Sequence, residues 1–179
     1  MNYFDQKQFI AQVDRQDTII GKVEKWQAHK DAILHRAFTV AIYFEDQILL
    51  QHRKHPVFDS VFDATISSHQ IYKEDILQSD EEAIINTLER EWYITEAELI
   101  QKPTHKGTVY YQSKDPLSEY TEHEMCRIYT CSIHKLVLPN FEFAYGFSLQ
   151  DPKKMRQKNY PLFNLLAPWV QKTLEEGLL

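Results

Sequence analysis

The segment TEHEM, residues 121–125, places Glu122 and Glu124 two apart at the head of an extended stretch. Side chains at i and i+2 of a strand share a face, and this face continues through Cys126, Ile128 and Thr130. Two like charges at the mouth of a mostly apolar row repel one another unless one holds a proton or a cation lies between them. A strand end turned to solvent accommodates them equally well. Three imidazoles carry complementary chemistry: His29 in QAHK, His35 in LHRA and His69 in SSHQ. Imidazole and carboxylate together are ligands of divalent transition metals, and mixed N/O sets with open positions support catalysis. His52, His55, His105, His123 and His134 are of the same type and read simply as surface residues. The three singled out have no local metal-motif spacing, so sequence distance alone does not assemble them.

A third oddity lies on the clearest helix. Ser79 and Glu82 have capping-box spacing, and Ile84, Ile85, Leu88 and Trp92 form one apolar stripe behind them. Glu91 follows Ile84 by seven residues, nearly two turns at ~100° per residue, which puts a carboxylate on that stripe. It is costly there unless paired or bound to a cation, or else it reaches out to solvent from the boundary. The stretch FDATISSHQ, residues 62–70, ends a short strand by presenting Ser67, Ser68 and His69.

The elements that must position these groups read as many strands, one central helix, more strands and a final helix. Residues 8–13, 18–23, 37–44, 47–52, 62–67, 107–112 and 124–133 have strand character, and 141–149 extends the set. Glu45-Asp46 suggests a hairpin turn, residues 25–36 an irregular or short helical connection, and residues 160–176 an amphipathic C-terminal helix. Such an order predicts an α+β protein built on a mixed sheet rather than an alternating βαβ array.

The 179 residues are read as one domain, 1–179, with an apolar fraction of 43% sufficient for one core. A net charge of −6 argues against a nucleic-acid partner held by broad electrostatic attraction. It leaves room for a small anion gripped by a few local cations. The two cysteines, Cys126 and Cys131, form no disulfide framework; five apart on one strand they face opposite ways, and a reducing cytoplasm is expected. The opening MNYFDQKQF lacks a signal-peptide core, and the longest apolar run, 37–44, is too short to span a bilayer. No membrane association is expected, and oligomeric state is not legible.

The segment VDRQDTIIGKVEKWQAHKDAILHRAF resembles the opening of the type I isopentenyl diphosphate isomerases, which have the Nudix fold. The likeness continues in order through ILLQHRK, SSHQ, EREWYI and TEHEMC, and more loosely Pro168-Trp169, covering roughly residues 10 to 135. The resemblance implies a Nudix-type mixed β-sheet sandwiched by helices. It also implies a divalent cation on His29, His35, His69, Glu122 and Glu124, and a Mg²⁺ bridging Glu91 to a small diphosphate substrate; three imidazoles and two carboxylates suit Mn²⁺ or Zn²⁺ in the first site. Lys25, Arg53 and Lys54 match the residues that grip the diphosphate. Glu124 with its partner Tyr111 matches one side of the proton-shuttling pair. Ser67 stands where the family carries a catalytic cysteine; a hydroxyl is a far poorer acid and base than a thiol unless another group activates it. Cys126, about 7 Å along the strand from Glu124, lies on the wrong side to replace it. The family's tryptophan over the carbocation has three candidates here, Phe163, Asn164 and Trp169. The gap from His29 to His35 is a residue shorter than usual.

The reading that follows is an isomerase interconverting isopentenyl and dimethylallyl diphosphate, weakened by Ser67. A Nudix diphosphate hydrolase is the alternative. Laid over the central helix, the Nudix box finds Leu88, Glu91 and Ile94, but Thr87 and Arg90 occupy two of its glutamate positions. A non-catalytic protein that keeps the metal and the diphosphate pocket is a third reading.

Overall fold

The computed structural model describes residues 3–157 and 159–179. Strands β1 (Phe9–Val13) and β2 (Ile19–Glu24) lead into helix α1 (Lys25–Lys30). Then come β3 (His35–Phe44), β4 (Gln47–Arg53), β5 (Phe62–Asp63), β6 (Ile66–Ser68) and a small separate hairpin, β7 (Tyr72–Lys73) with β8 (Ile76–Leu77). Helix α2 (Asp80–Trp92) precedes β9 (Thr104–Lys114), β10 (Thr121–Ile133) and β11 (Ala144–Gln150), and the short α3 (Pro152–Met155) and α4 (Pro168–Glu175) follow.

The long strands β3 and β10 are the axis of the sheet. They run parallel, from Glu124 opposite His35 to Ile133 opposite Phe44. β9 pairs antiparallel on the far edge of β10, with Tyr111 opposite Glu124. The other edge of β3 is shared by β1, β6 and β4, and among the described residues the main sheet has nine strands.

Alternation along β3 explains the two layers. Phe38, Val40 and Ile42 face the cluster made with Ile84, Leu88 and Trp92 of α2. Ala37 and Ala41 face the opposite cluster, which Trp169, Val170 and Leu174 of α4 close. A central strand covered on both faces needs apolar residues at successive positions, which is why residues 37–44 read as a continuous run. The result is the expected α+β mixed sheet between helices. Cys126 and Cys131 fall in opposite layers, free and buried.

Helix α2 starts where expected: the Ser79 hydroxyl accepts from the Glu82 N–H at 3.1 Å. The reciprocal half of the box does not form, because the Glu82 carboxylate takes Lys73 Nζ at 2.6 Å. The helix stops at Tyr93, whose φ of 56° is left-handed. Ile85, placed on the stripe from sequence, lies at its half-buried flank, and Ala83 and Thr87 share the buried face instead. The C-terminal helix is shorter than expected. Residues 163–165 form one 3₁₀ turn, and the α-helix begins only at Pro168. The proline ring disfavours the helical conformation for Ala167, which is extended with ψ 146°.

Candidate active site

Five side chains from four elements meet at one point. His29 comes from α1, His35 from the start of β3, His69 from the end of β6, and Glu122 and Glu124 from β10. One ligand atom from each lies within 4.8 Å of all the others. Strand register does part of this work. Glu124 sits directly across from His35, and direct neighbours in a sheet hold their side chains side by side. Helix α1 supplies His29; Glu24 caps its N-terminus, its Oε2 accepting from Gln27 N–H at 2.9 Å.

The donor set fits a divalent cation. The Nδ1 atoms of His29 and His35 hydrogen-bond the carbonyls of Lys25 at 2.6 Å and Ile33 at 2.7 Å. A carbonyl only accepts, so both Nδ1 atoms carry the proton and each Nε2 presents its lone pair to the cluster. His29 Nε2 lies 3.1 Å from Glu122 Oε2, and His35 Nε2 lies 3.4 Å from Glu124 Oε1. Yet His35 Nε2 and Glu122 Oε2 are buried with no partner in hydrogen-bond geometry. His69 Nε2 does bond Glu124 Oε1, at 3.1 Å, but buried atoms left over among converging donors are arranged as ligands are.

Electrostatics agree. Burial opposes the charged form of His29, but the neighbouring Glu122 outweighs it and raises its pKa. Burial, reinforced by the other two imidazoles, pushes His69 well below its ordinary range, so it is neutral. Burial works against ionisation of Glu124, yet the neighbouring His35 and the hydrogen bond from Tyr111 bring its carboxyl below the ordinary value. The Tyr111 phenol donates to Glu124 Oε2. Burial and then the two glutamates push that phenol well above its usual pKa, so it keeps its proton.

Over the cluster opens a small cavity of about 30 Å³, room for an ion and water as the side chains now stand. Lys25, Arg53, Ser67, Glu91, Tyr111 and Trp169 line it together with four of the five candidate ligands, His29, His69, Glu122 and Glu124. Lys54 does not: its ammonium lies 3.3 Å from the Phe141 carbonyl, near the Tyr145 ring. Glu91 is buried, as its place on the stripe required, but stands apart from the five-residue cluster. Its carboxylate receives Arg90 Nη2 at 2.8 Å and Gln51 Nε2 at 3.3 Å. Of Phe163, Asn164 and Trp169, the tryptophan is the one that reaches the cavity; its ring lies 5.9 Å from that of Tyr111.

Arg90 is a cation that sequence reasoning set aside as a mere loss from the Nudix box. It lines the same cavity, its Nε is buried without a partner, and its guanidinium lies 4.0 Å from the Tyr3 ring at the rim. Lys25 is the other cation there, its pKa lowered to about 8, first by burial and then by Arg90. Asp63 was also missed. It is fully buried and accepts from Ser67 Oγ at 2.8 Å, Trp169 Nε1 at 2.7 Å and Arg53 Nη1 at 3.1 Å. The sequence carries no signal of it: four residues apart on an extended chain would hold Asp63 and Ser67 about 13 Å apart, and it is the bend at Ala64 and Thr65 that brings them together.

No family model matches the chain, and no curated protein matches it. Solved structures do, and they give it the Nudix fold. DR0079 from Deinococcus radiodurans superposes with a TM-score of 0.69 at 10% identity, over 94% of this chain and 98% of that one. A MutT Nudix hydrolase from Burkholderia pseudomallei gives 0.52 at 18% identity, over 79% and 96%. The E. coli dihydroneopterin triphosphate pyrophosphohydrolase gives 0.53 at 12% identity, over 79% and 93%. The latter two are named as hydrolases, so the isomerase expectation finds no support among these likenesses. No helix among the described residues is long and apolar enough to cross a membrane.

Proposed function

We propose that this protein is a metal-dependent enzyme acting on a small organic diphosphate, and that the reaction is proton transfer across an alkene: interconversion of isopentenyl and dimethylallyl diphosphate. The observation that carries this reading is the convergence of His29, His35, His69, Glu122 and Glu124 beneath a cavity in which Tyr111 holds a proton against Glu124 Oε2. A divalent cation on those five groups would supply the positive charge that lets two buried carboxylates stand together and would polarise what they touch. The remaining work belongs to the chain. Lys25, Arg53 and Arg90 place positive charge on the cavity wall for a diphosphate, Arg by its forked donors and Lys as a point charge. Glu91, beside Arg90, is the carboxylate available to a Mg²⁺ carried by that diphosphate. The Tyr111–Glu124 pair delivers a proton to the terminal alkene carbon. Trp169, on the same cavity wall, would steady the cation that results.

Hydrolysis of a diphosphate is the second reading, and the Nudix hydrolases of the same fold favour it. Against it stands α2: Thr87 donates to the Ala83 carbonyl, and Arg90 pairs with Glu91. The helix therefore offers one carboxylate to the cavity where a hydrolase of this fold uses several.

One assay separates the readings. The protein is incubated with isopentenyl diphosphate, Mg²⁺ and either Mn²⁺ or Zn²⁺, and both dimethylallyl diphosphate and released phosphate are followed. Isomer without phosphate is the expected result. Phosphate without isomer would replace this reading with hydrolysis, and binding without either product would replace it with a non-catalytic role.

A further inference from the structure

Ser67 and Glu124 approach the cavity from opposite flanks of β3: β6 pairs Ser67 with Thr39 on one edge, and β10 pairs Glu124 with His35 on the other. Isomerisation needs a proton delivered on one side and another removed on the far side. Ser67 is the group in the second place, and a lone hydroxyl cannot do that work.

Ser67 is not alone. Asp63 Oδ1 accepts from Ser67 Oγ at 2.8 Å. The carboxylate also accepts from Arg53 Nη1 at Oδ2, 3.1 Å, and from Ala64 N–H and Trp169 Nε1 at Oδ1, 2.8 and 2.7 Å, so its other partners are all donors and it accepts from Ser67 as well. The single hydroxyl proton of Ser67 is thus committed to Asp63. Thr39 Oγ1, 2.8 Å from Ser67 Oγ, must be the donor in that contact, and Cys126 Sγ lies behind Thr39 at 3.3 Å. The hydrogen-bond chain therefore has one direction, from Cys126 through Thr39 and Ser67 to Asp63. Ser67 keeps a lone pair for the cavity and has no proton to give it. The thiol of Cys126 is at the wrong end of this chain to act as a base.

Resting on the isomerase reading, we infer that Ser67 and Asp63 together replace the missing thiol: Ser67 Oγ accepts the proton from carbon while its own passes to Asp63 Oδ1. The C–H bond next to the tertiary cation breaks, and its electron pair becomes the new double bond. The proton forms a bond to Ser67 Oγ, the old Ser67 O–H bond breaks, and Asp63 ends as the neutral acid. The Tyr111–Glu124 side ends one proton short, and exchange with water through the cavity mouth restores both. A carbocation is so acidic that a carboxylate restrained by Arg53 and Trp169 remains a sufficient base. Asp63 acts through Ser67 and touches no substrate.

The test compares Asp63→Asn in two backgrounds. In the otherwise unchanged protein it lowers isomerase kcat by about 100-fold or more, the size of a lost general base. In the Ser67→Cys background, where the thiol titrates by itself, the same change costs less than tenfold. A purely structural role for Asp63, holding Arg53 and Trp169, would cost the same in both and would overturn the relay. Ser67→Ala retaining the full rate would overturn it too. In D₂O, Asp63→Asn and Ser67→Ala return substrate deuterated at its terminal carbon much faster than they form product, because the Tyr111–Glu124 step still runs and reverses. Should Asp63→Asn fail to fold, Asp63→Glu keeps the charge beside Arg53, displaces the carboxylate by one methylene and is read the same way. Turnover by Ser67→Cys with none by the unchanged protein would sink the relay and leave the isomerase reading intact. Turnover by neither would sink both.

Discussion

Loading the five-residue centre should raise the melting temperature by several degrees, and the geometry sets the size. Oxygens of Glu122 and Glu124 lie within 4.8 Å of one another in a buried setting. At an effective dielectric constant of ~20 two such charges repel by about 3 kcal/mol, which a bound cation would relieve. A cation at a concentration of about 100 times its Kd stabilises the folded state by about 2.7 kcal/mol. For a chain of this length, 1 kcal/mol corresponds to roughly 2–4 °C, so the expected gain is about 5–11 °C. The assay is differential scanning fluorimetry of chelator-treated protein titrated with Mn²⁺, Zn²⁺ or Mg²⁺. Glu122→Gln and His35→Ala should abolish the gain, while Glu119→Gln, at an exposed surface pair with Lys30, should not alter it. Identical melting curves with and without every cation would refute a preformed metal centre. So would a gain that survives both ligand variants.

Other consequences can be checked separately. Glu91→Gln should leave that thermal gain in place, since Glu91 stands outside the cluster, but weaken Mg²⁺-dependent diphosphate binding by about tenfold or more in calorimetric titration. Trp169→Phe, which keeps an aromatic ring but removes the bond to Asp63, should cost about 1.5–3 kcal/mol in urea unfolding. Trp169→Ala should cost about 3–5 kcal/mol through the cavity it leaves. Burial pushes the Cys126 thiol well above its ordinary pKa and that of Cys131 up to about 12. A thiol reagent at pH 8 should therefore find neither in the folded protein and both in urea, while Ser67→Cys adds one thiol reactive in the native state.

Periodicity and ordered motifs alone carried much of this protein. Alternation in 37–44 and the capped stripe beginning at Ser79 specify elements because burial acts locally, residue by residue. Glu91 was legible for the same reason, since a charge on an apolar stripe is anomalous wherever the helix packs. The resemblance named the five candidate ligands, though their spacing could not join them: His29, His35, His69 and the glutamates come from segments far apart in the chain. Only the parallel register of β3 with β10 sets His35 beside Glu124, and only the docking of α1 brings His29 to Glu122. The C-terminal helix was read too long because its apolar pattern runs through Pro168, where backbone sterics override it. Lys54 and Arg90 exchange their expected places for a related reason. A cation's role depends on which way its long side chain turns, toward the Phe141 carbonyl for Lys54 and into the cavity for Arg90, and that is decided by neighbours remote in sequence. Asp63 was the least legible of all, because an aspartate in a short strand reveals nothing until folding brings Ser67, Arg53 and Trp169 around one buried carboxylate.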